Sequence, residues 1–143
     1  SLLDELVASH CGVMPREALR SMADAQRYRD AYMARRMVDA GEAMAAAVLL
    51  AGNGHVRADR GVPWHLKRMA PGKSVLVVMF TQADPARTDA LAYVRNKDDG
   101  LALADYVVIT PRVERPDPCE AMRKRASTPP KADPPPKEPG AKP

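Results

Sequence analysis

Ala46-Ala47-Val48-Leu49-Leu50-Ala51-Gly52-Asn53-Gly54-His55 is the stretch on which the reading of this chain turns. Its first six residues form a short apolar run without polar alternation, which suits a strand covered on both faces, as in a parallel sheet. The loop Gly52-Asn53-Gly54-His55 follows at once. Ligands of open α/β sheets gather at the carboxyl ends of strands, where loops vary on a fixed scaffold. Two glycines let a backbone take positive φ and approach a ligand closely, and Asn53 tolerates left-handed geometry. His55 adds a nitrogen that can ligate iron or zinc, or move a proton. Spacing alone leaves two readings open: a ligand loop, and a tight turn carrying a surface histidine.

Upstream, Pro15 to about Ala40 is free of glycine and internal proline and rich in Ala, Arg and Met, which predicts one long helix. Pro15 suits its start, Glu17 its first turn, and Gly41 a left-handed end. Helical spacing gives an inward stripe of Leu19, Met22, Gln26, Arg29, Met33, Met37 and Ala40, with Asp30 at its edge. Buried polar groups need partners, so Gln26, Arg29 and Asp30 are expected to form a network below the ligand end of the sheet, holding the loop or a ligand carboxylate. The alternative is a rotated stripe with Arg29 and Asp30 in water. An earlier helix is read at Leu2 to Val7.

Downstream, Gly61-Val62-Pro63 turns the chain into a short helix, Trp64 to Met69, closed by Pro71-Gly72. Strands are expected at Ser74 to Thr81 and Asp105 to Thr110, with a short helix near Thr88 to Arg95 between them. Strands joined by helical crossovers predict an α/β fold, with a parallel or mixed sheet and flanking helices. Three strands make a thin sheet, and a fragment lacking the first strands of a larger fold accounts for that. The domain is expected over residues 1–126. Residues 127–143 are dominated by Pro, Lys, Ala and Gly and are expected to be a disordered, extended tail.

Of the 143 residues, 45% are hydrophobic and only 4% aromatic, so the core must rest on Ala, Val, Leu and Met. Few aromatics argue against stacking on single-stranded nucleic acid, and the net charge of +4 is dispersed apart from Arg123-Lys124-Arg125. No nucleic-acid partner is expected. No apolar run is long enough for a transmembrane segment, and no leader opens the sequence at Ser1. Cys11 and Cys119 are too few for a disulfide scaffold or a structural zinc site. They either bridge the two ends of the domain or stay as unlinked thiols. No serine or cysteine sits in a nucleophile elbow, and Gly52-Asn53-Gly54 lacks the third glycine of a dinucleotide fingerprint.

Three segments in order carry a resemblance: Ala25-Gln26-Arg27-Tyr28-Arg29-Asp30-Ala31-Tyr32-Met33-Ala34, then Leu49-Leu50-Ala51-Gly52-Asn53-Gly54-His55-Val56-Arg57, then Gly61-Val62-Pro63. Together they resemble the ChaN-like haem-binding family of the Tiki superfamily, in its C-terminal portion. Asp105-Tyr106, Thr110-Pro111-Arg112-Val113-Glu114 and Asp117-Pro118-Cys119 extend the likeness, so that it runs from about His10 to Met122.

The resemblance implies a bacterial cell-envelope protein, often a lipoprotein, that binds haem and is linked to iron uptake, in the periplasm or at the outer membrane. Its partners would be haem, envelope haem-uptake components and a second copy in a homodimer. The Gly-x-x-His motif carries over to Gly52 and His55. The family also has a Gly-Glu-x-His type segment after its first strand, which this sequence does not contain, so half of the family's site is expected to lie outside it.

The candidate cofactor-binding set is therefore Gly52, Asn53, Gly54, His55, Arg57, Gln26, Arg29 and Asp30, with His55 as the metal ligand. Arg57 or Arg29 would pair a haem propionate. Tyr28, Tyr32, Tyr93 and Tyr106 are chemically able to hold ferric iron, though spacing singles out none of them. His10 and His65 read as capping or exposed residues. Haem binding without turnover is the first reading, so enzyme activity is left open. The alternative is a metal-dependent hydrolase of the Tiki or erythromycin-esterase-like type, with a divalent ion in place of haem, although no second ligand stands at metal spacing. A third reading has the Pro-rich tail docking a partner or acting as a spacer.

Overall fold

The structure is a computed structural model that describes residues 1–96 and 99–128. Eight elements follow in order: α1 (Leu2–Ser9), α2 (Arg16–Ala43), α3 (Asn53–Val56), α4 (Val62–Met69), β1 (Val78–Gln82), α5 (Leu91–Val94), β2 (Tyr106–Thr110) and α6 (Pro118–Ala126). The class is α/β. The two strands pair in parallel, with Val78 opposite Tyr106 and Phe80 opposite Val108.

Helix α1 begins where Ser1 and Asp4 close a reciprocal capping box, each satisfying a backbone N–H of the first turn. The turn after it carries Cys11 and Gly12, both with positive φ, 57° and 66°. The left-handed conformation suits Gly12 but strains Cys11, whose disulfide fixes it in place. Pro15 then caps α2, a helix of 28 residues. Gly41 lies inside that helix and does not end it. The chain leaves at Met44 in an extended conformation.

The buried face of α2 corrects the expected stripe. Leu19, Ala23, Asp30 and Ala34 face inward, whereas Arg29 and Ala40 are exposed and Met22 is half in water. The four-residue steps from 19 to 23 and from 30 to 34 form one row, and Arg29 sits about 100° away from Asp30 around the helix. Asp30, expected at the edge, lies near the centre.

Residues 46–51, expected as a strand, enter no ladder. The stretch still alternates like extended chain: Ala47 and Leu49 are half-buried while Val48 and Leu50 stand in solvent. Leu49 packs with Val75 on the cluster of Ala34, Val62 and Leu66 that joins α2 to α4. Its end is pinned beside β1 by the Asn53 amide, which donates to the Phe80 carbonyl at 2.7 Å. The apolar run is therefore placed as a strand would be, without the backbone hydrogen bonds that define one. The expected strand at 74–81 begins in earnest only at Val78, and the helix near 88–95 shrinks to α5.

A second cluster, Val77, Met79 and Ala104 with Val56, Ala58, Leu103 and Val107, fills the same side of the sheet. The other side is bare: Val78, Phe80, Tyr106 and Val108 are all exposed.

The structure also resolves the cysteines, since Cys11 and Cys119 form a disulfide across 108 residues of sequence. That bond fastens α6, which buries none of its residues, to the α1–α2 junction, with Met122 Sδ 3.8 Å from Cys11 Sγ. Asp117 caps α6 by accepting from the Cys119 N–H, so Asp117-Pro118-Cys119 forms the start of a helix. Of the expected tail, residues 129–143 lie outside the described residues. No helix among the described residues is long and apolar enough to cross a membrane.

Candidate functional site

His55 sits on α3, a single helical turn that starts from the extended Gly52 and is closed by the His55 N–H donating to the Gly52 carbonyl. Neither loop glycine adopts positive φ; among the described residues that conformation falls to Cys11, Gly12 and Gly100. The glycine this site does require is Gly61. A Cβ there would run into the His55 carbonyl oxygen and lie 2.9 Å from that of Arg57. Only a hydrogen at this position lets the chain double back behind His55.

Helix α2 supplies the other half. Gln26 and Asp30, one turn apart, both reach the loop, as the i, i+4 relation allows. The Gln26 amide donates to the Gly54 carbonyl at 3.3 Å, and Asp30 Oδ1 lies 2.6 Å from His55 Nδ1. The Asp30 side chain is only 3% exposed and the imidazole 30%. A carboxylate at this distance accepts from a proton on Nδ1, and in the neutral form of such a ring Nε2 carries the lone pair. A buried carboxylate behind Nδ1 is the outer-sphere arrangement that orients metal-bound histidines and raises their basicity.

The structure thus brings together Gly52, Asn53, Gly54, His55, Gln26 and Asp30, and separates two others. Arg29 is exposed on the neighbouring flank of α2, alongside Met33 and the half-exposed Met22. Arg57 turns the opposite way, with its guanidinium taken by Asp59 at 2.8 Å and Glu5 at 2.7 Å and its side chain 11% exposed. Arg60 adds a second cation to Glu5, and the Asn96 amide donates to Asp59 at 3.2 Å.

Burial alone would raise the Glu5 and Asp59 carboxyls. The guanidiniums of Arg60 and Arg57 outweigh it and hold both below the usual carboxylate range, while Asp59 and Glu5 hold Arg57 more firmly protonated. This network, absent from the sequence reading, clamps α1 to the segment after His55. The only sequence signal for it was the close spacing of opposite charges in Arg57-x-Asp59-Arg60.

A cavity of about 630 Å³ lies apart from the dyad. It lies beside the second half of α2, lined by Met37, Val38, Ala45, Leu66, Met69 and Val75. Convergent polar groups mark the His55 loop more specifically than an apolar hollow marks that end. Among the described residues, no group of three or more His, Cys, Asp or Glu gathers to hold a metal ion. Asp30 and His55 do not make a hydrolase donor set by themselves.

Residues 1–66 match the family described as haem-binding uptake, Tiki superfamily, ChaN. Comparison with curated proteins and with solved structures gave no match. The family match falls on the N-terminal part of the chain and stops inside α4, short of the strands and of the likeness read as far as Met122. Over residues 1–66, which hold Gln26, Asp30 and the whole Gly52 to His55 loop, the chain is similar to the ChaN family of the Tiki superfamily.

Proposed function

We propose that the chain is a haem-binding protein of the bacterial cell envelope, linked to haem or iron uptake, with His55 Nε2 as its iron ligand. The observation that carries the reading is the 2.6 Å contact between the buried Asp30 carboxylate and His55 Nδ1, inside the segment that matches the haem-binding uptake family. The residues fit the group. Haem iron accepts a neutral imidazole nitrogen as axial ligand, and a carboxylate behind the ring fixes which nitrogen is free. Met22 and Met33 give the adjoining flank of α2 polarisable apolar surface, and Arg29 at its edge is an exposed cation for a propionate. Arg57 is left to its structural network. Bound haem would supply the iron chemistry; the chain's own residues bind and orient.

An envelope location has independent support from the Cys11–Cys119 disulfide, a bond that persists in oxidising compartments such as the periplasm. The test is haem titration of the full chain and two variants. His55→Ala abolishes the Soret shift of the wild type. Asp30→Asn, which keeps the shape but weakens the support, lowers affinity roughly 10- to 100-fold. Unchanged spectra and affinity in His55→Ala would remove His55 as ligand.

A further inference from the structure

Between the end of α2 and the approach to β1 the apolar core stands open. The cavity of about 630 Å³ is lined there by Met37, Val38, Leu66 and Val75, which pack in the cluster of Ala34 and Val62 that joins α2 to α4. Met69 adds to the apolar lining, and Ala45, Ala46 and Ala47 border it with side chains too small to fill it. Small-molecule sites run from roughly 300 to 1,000 Å³, so the hollow has the size of one.

Polar groups converge on the same hollow. Residues 45–47 and 74–76 both line it, neither belongs to a strand, and their backbone N–H and C=O groups enter no hydrogen bond among the described residues. Such groups need polar atoms from elsewhere. Glu42, in the last turn of α2, and Lys73, just ahead of 74–76, bring a carboxylate and an ammonium to the lining. The fold uses neither. Asp39, three residues before Glu42, is taken by Arg35 at 2.9 Å and Arg36 at 3.4 Å, whereas Glu42 and Lys73 form no ion pair, with each other or elsewhere, among the described residues. Two opposite charges at one hollow, not closed on each other, are complementary to a molecule that carries both. An apolar acid without an ammonium would leave Glu42 facing a like charge, and an apolar amine without a carboxylate would do the same to Lys73.

We propose that this cavity is a binding site for a free α-amino acid with a large apolar side chain. Its ammonium pairs with Glu42, its carboxylate with Lys73, and its side chain lies on Met37, Leu66 and Val75. The open main chain of 45–47 and 74–76 completes the zwitterion's hydrogen bonds, carbonyls accepting from the ammonium and N–H groups donating to the carboxylate. Met37 and Met69 adapt their shape, so aliphatic and aromatic side chains are both accommodated and selection rests on the two charges. The site shares no residue with the His55 and Asp30 dyad and does not depend on haem.

Isothermal titration calorimetry of the haem-free full chain with L-leucine and with L-phenylalanine is expected to give a Kd below about 1 mM. Glycine, which carries both charges but no side chain, should bind at least ~10-fold more weakly. N-acetyl-leucine and leucine amide, each lacking one charge, should lose at least as much. Glu42→Gln and Lys73→Met change exposed side chains, so both should keep the wild-type far-UV spectrum while raising the Kd for leucine at least ~10-fold. Ala46→Trp, at an exposed lining position, fills the hollow and should abolish binding. No heat from either amino acid at about 5 mM overturns the proposal. So does binding that either blocked derivative matches, or that is unchanged in Glu42→Gln and Lys73→Met.

Discussion

Gly61→Ala is the most informative single change. In the folded chain the new methyl would meet the His55 carbonyl carbon at 2.7 Å and the Arg57 carbonyl oxygen at 2.9 Å, with the His55 carbonyl oxygen closer still. All three are backbone atoms that cannot swing aside. The φ of −81° is one that alanine adopts freely, so the cost is purely steric. Overpacking of this kind costs about 1–3 kcal/mol, and the lower entropy of unfolded alanine returns about 0.4–1 kcal/mol. The net loss is about 1–2 kcal/mol, or roughly 4–8 °C in midpoint.

The same push moves His55 off Asp30. Thermal unfolding followed by circular dichroism, together with the NMR resonance of the imidazole Nδ1 proton, reads both effects. Gly52→Ala is the internal control, since its Cβ would meet nothing within 4 Å and its φ is −65°; it should be neutral or slightly stabilising. Gly54→Ala would touch only the end of the Gln26 side chain, at 3.4 Å, and should cost little. If Gly61→Ala matches Gly52→Ala in stability with an unshifted Nδ1 proton, the packing argument for this site is wrong.

Two further outcomes follow from the disulfide and the ionic network. Cys119→Ser, or reduction, opens a loop closed over 108 residues and should lower stability by about 4–5 kcal/mol in the chain-entropy model, read by urea unfolding with and without reductant. It should also expose the Arg123-Lys124-Arg125 segment to trypsin; a loss below about 1 kcal/mol would refute that role. Glu5 and Asp59 have carboxyls held below their unfolded values, so their contribution to stability is complete above the ordinary carboxylate range and is lost as pH falls through that range, at about pH 4 and below. Glu5→Gln should therefore flatten the acid limb of the stability profile while changing stability less at pH values below it. An unchanged acid limb would show the clamp to be energetically silent.

What could be read from the sequence were long or strongly punctuated features. Helix α2 was marked by 25 or so residues without a breaker and by Pro15, and β2 by Tyr106-Val107-Val108-Ile109. The phase of α2 was not recoverable, because apolar and polar residues lie on both flanks of its stripe. Choosing Met22 and Arg29 as inward differs from choosing Ala23 and Asp30 by one residue, or about 100°. The tertiary partner decides, and here it is His55, whose bond to Asp30 brings the carboxylate inside.

The stretch 46–51 looked like a strand because its composition is that of one, but a strand also needs neighbours to share its N–H and C=O groups. No such ladder joins it to β1. The loop glycines were identified as important for a conformational reason that the structure does not support. The glycine that matters, Gly61, was visible only as a turn residue, because its constraint is a long-range contact with the His55 backbone.

The proposed role of His55, held by Asp30, is that of iron ligand in a haem-binding chain. Its most direct test is resonance Raman spectroscopy of the ferrous, haem-loaded full chain. An iron–imidazole stretching band is expected in the wild type, shifting in Asp30→Asn, where the support behind Nδ1 is weakened, and disappearing in His55→Ala. A haem complex with no imidazole band, or one whose band survives in His55→Ala, would contradict it.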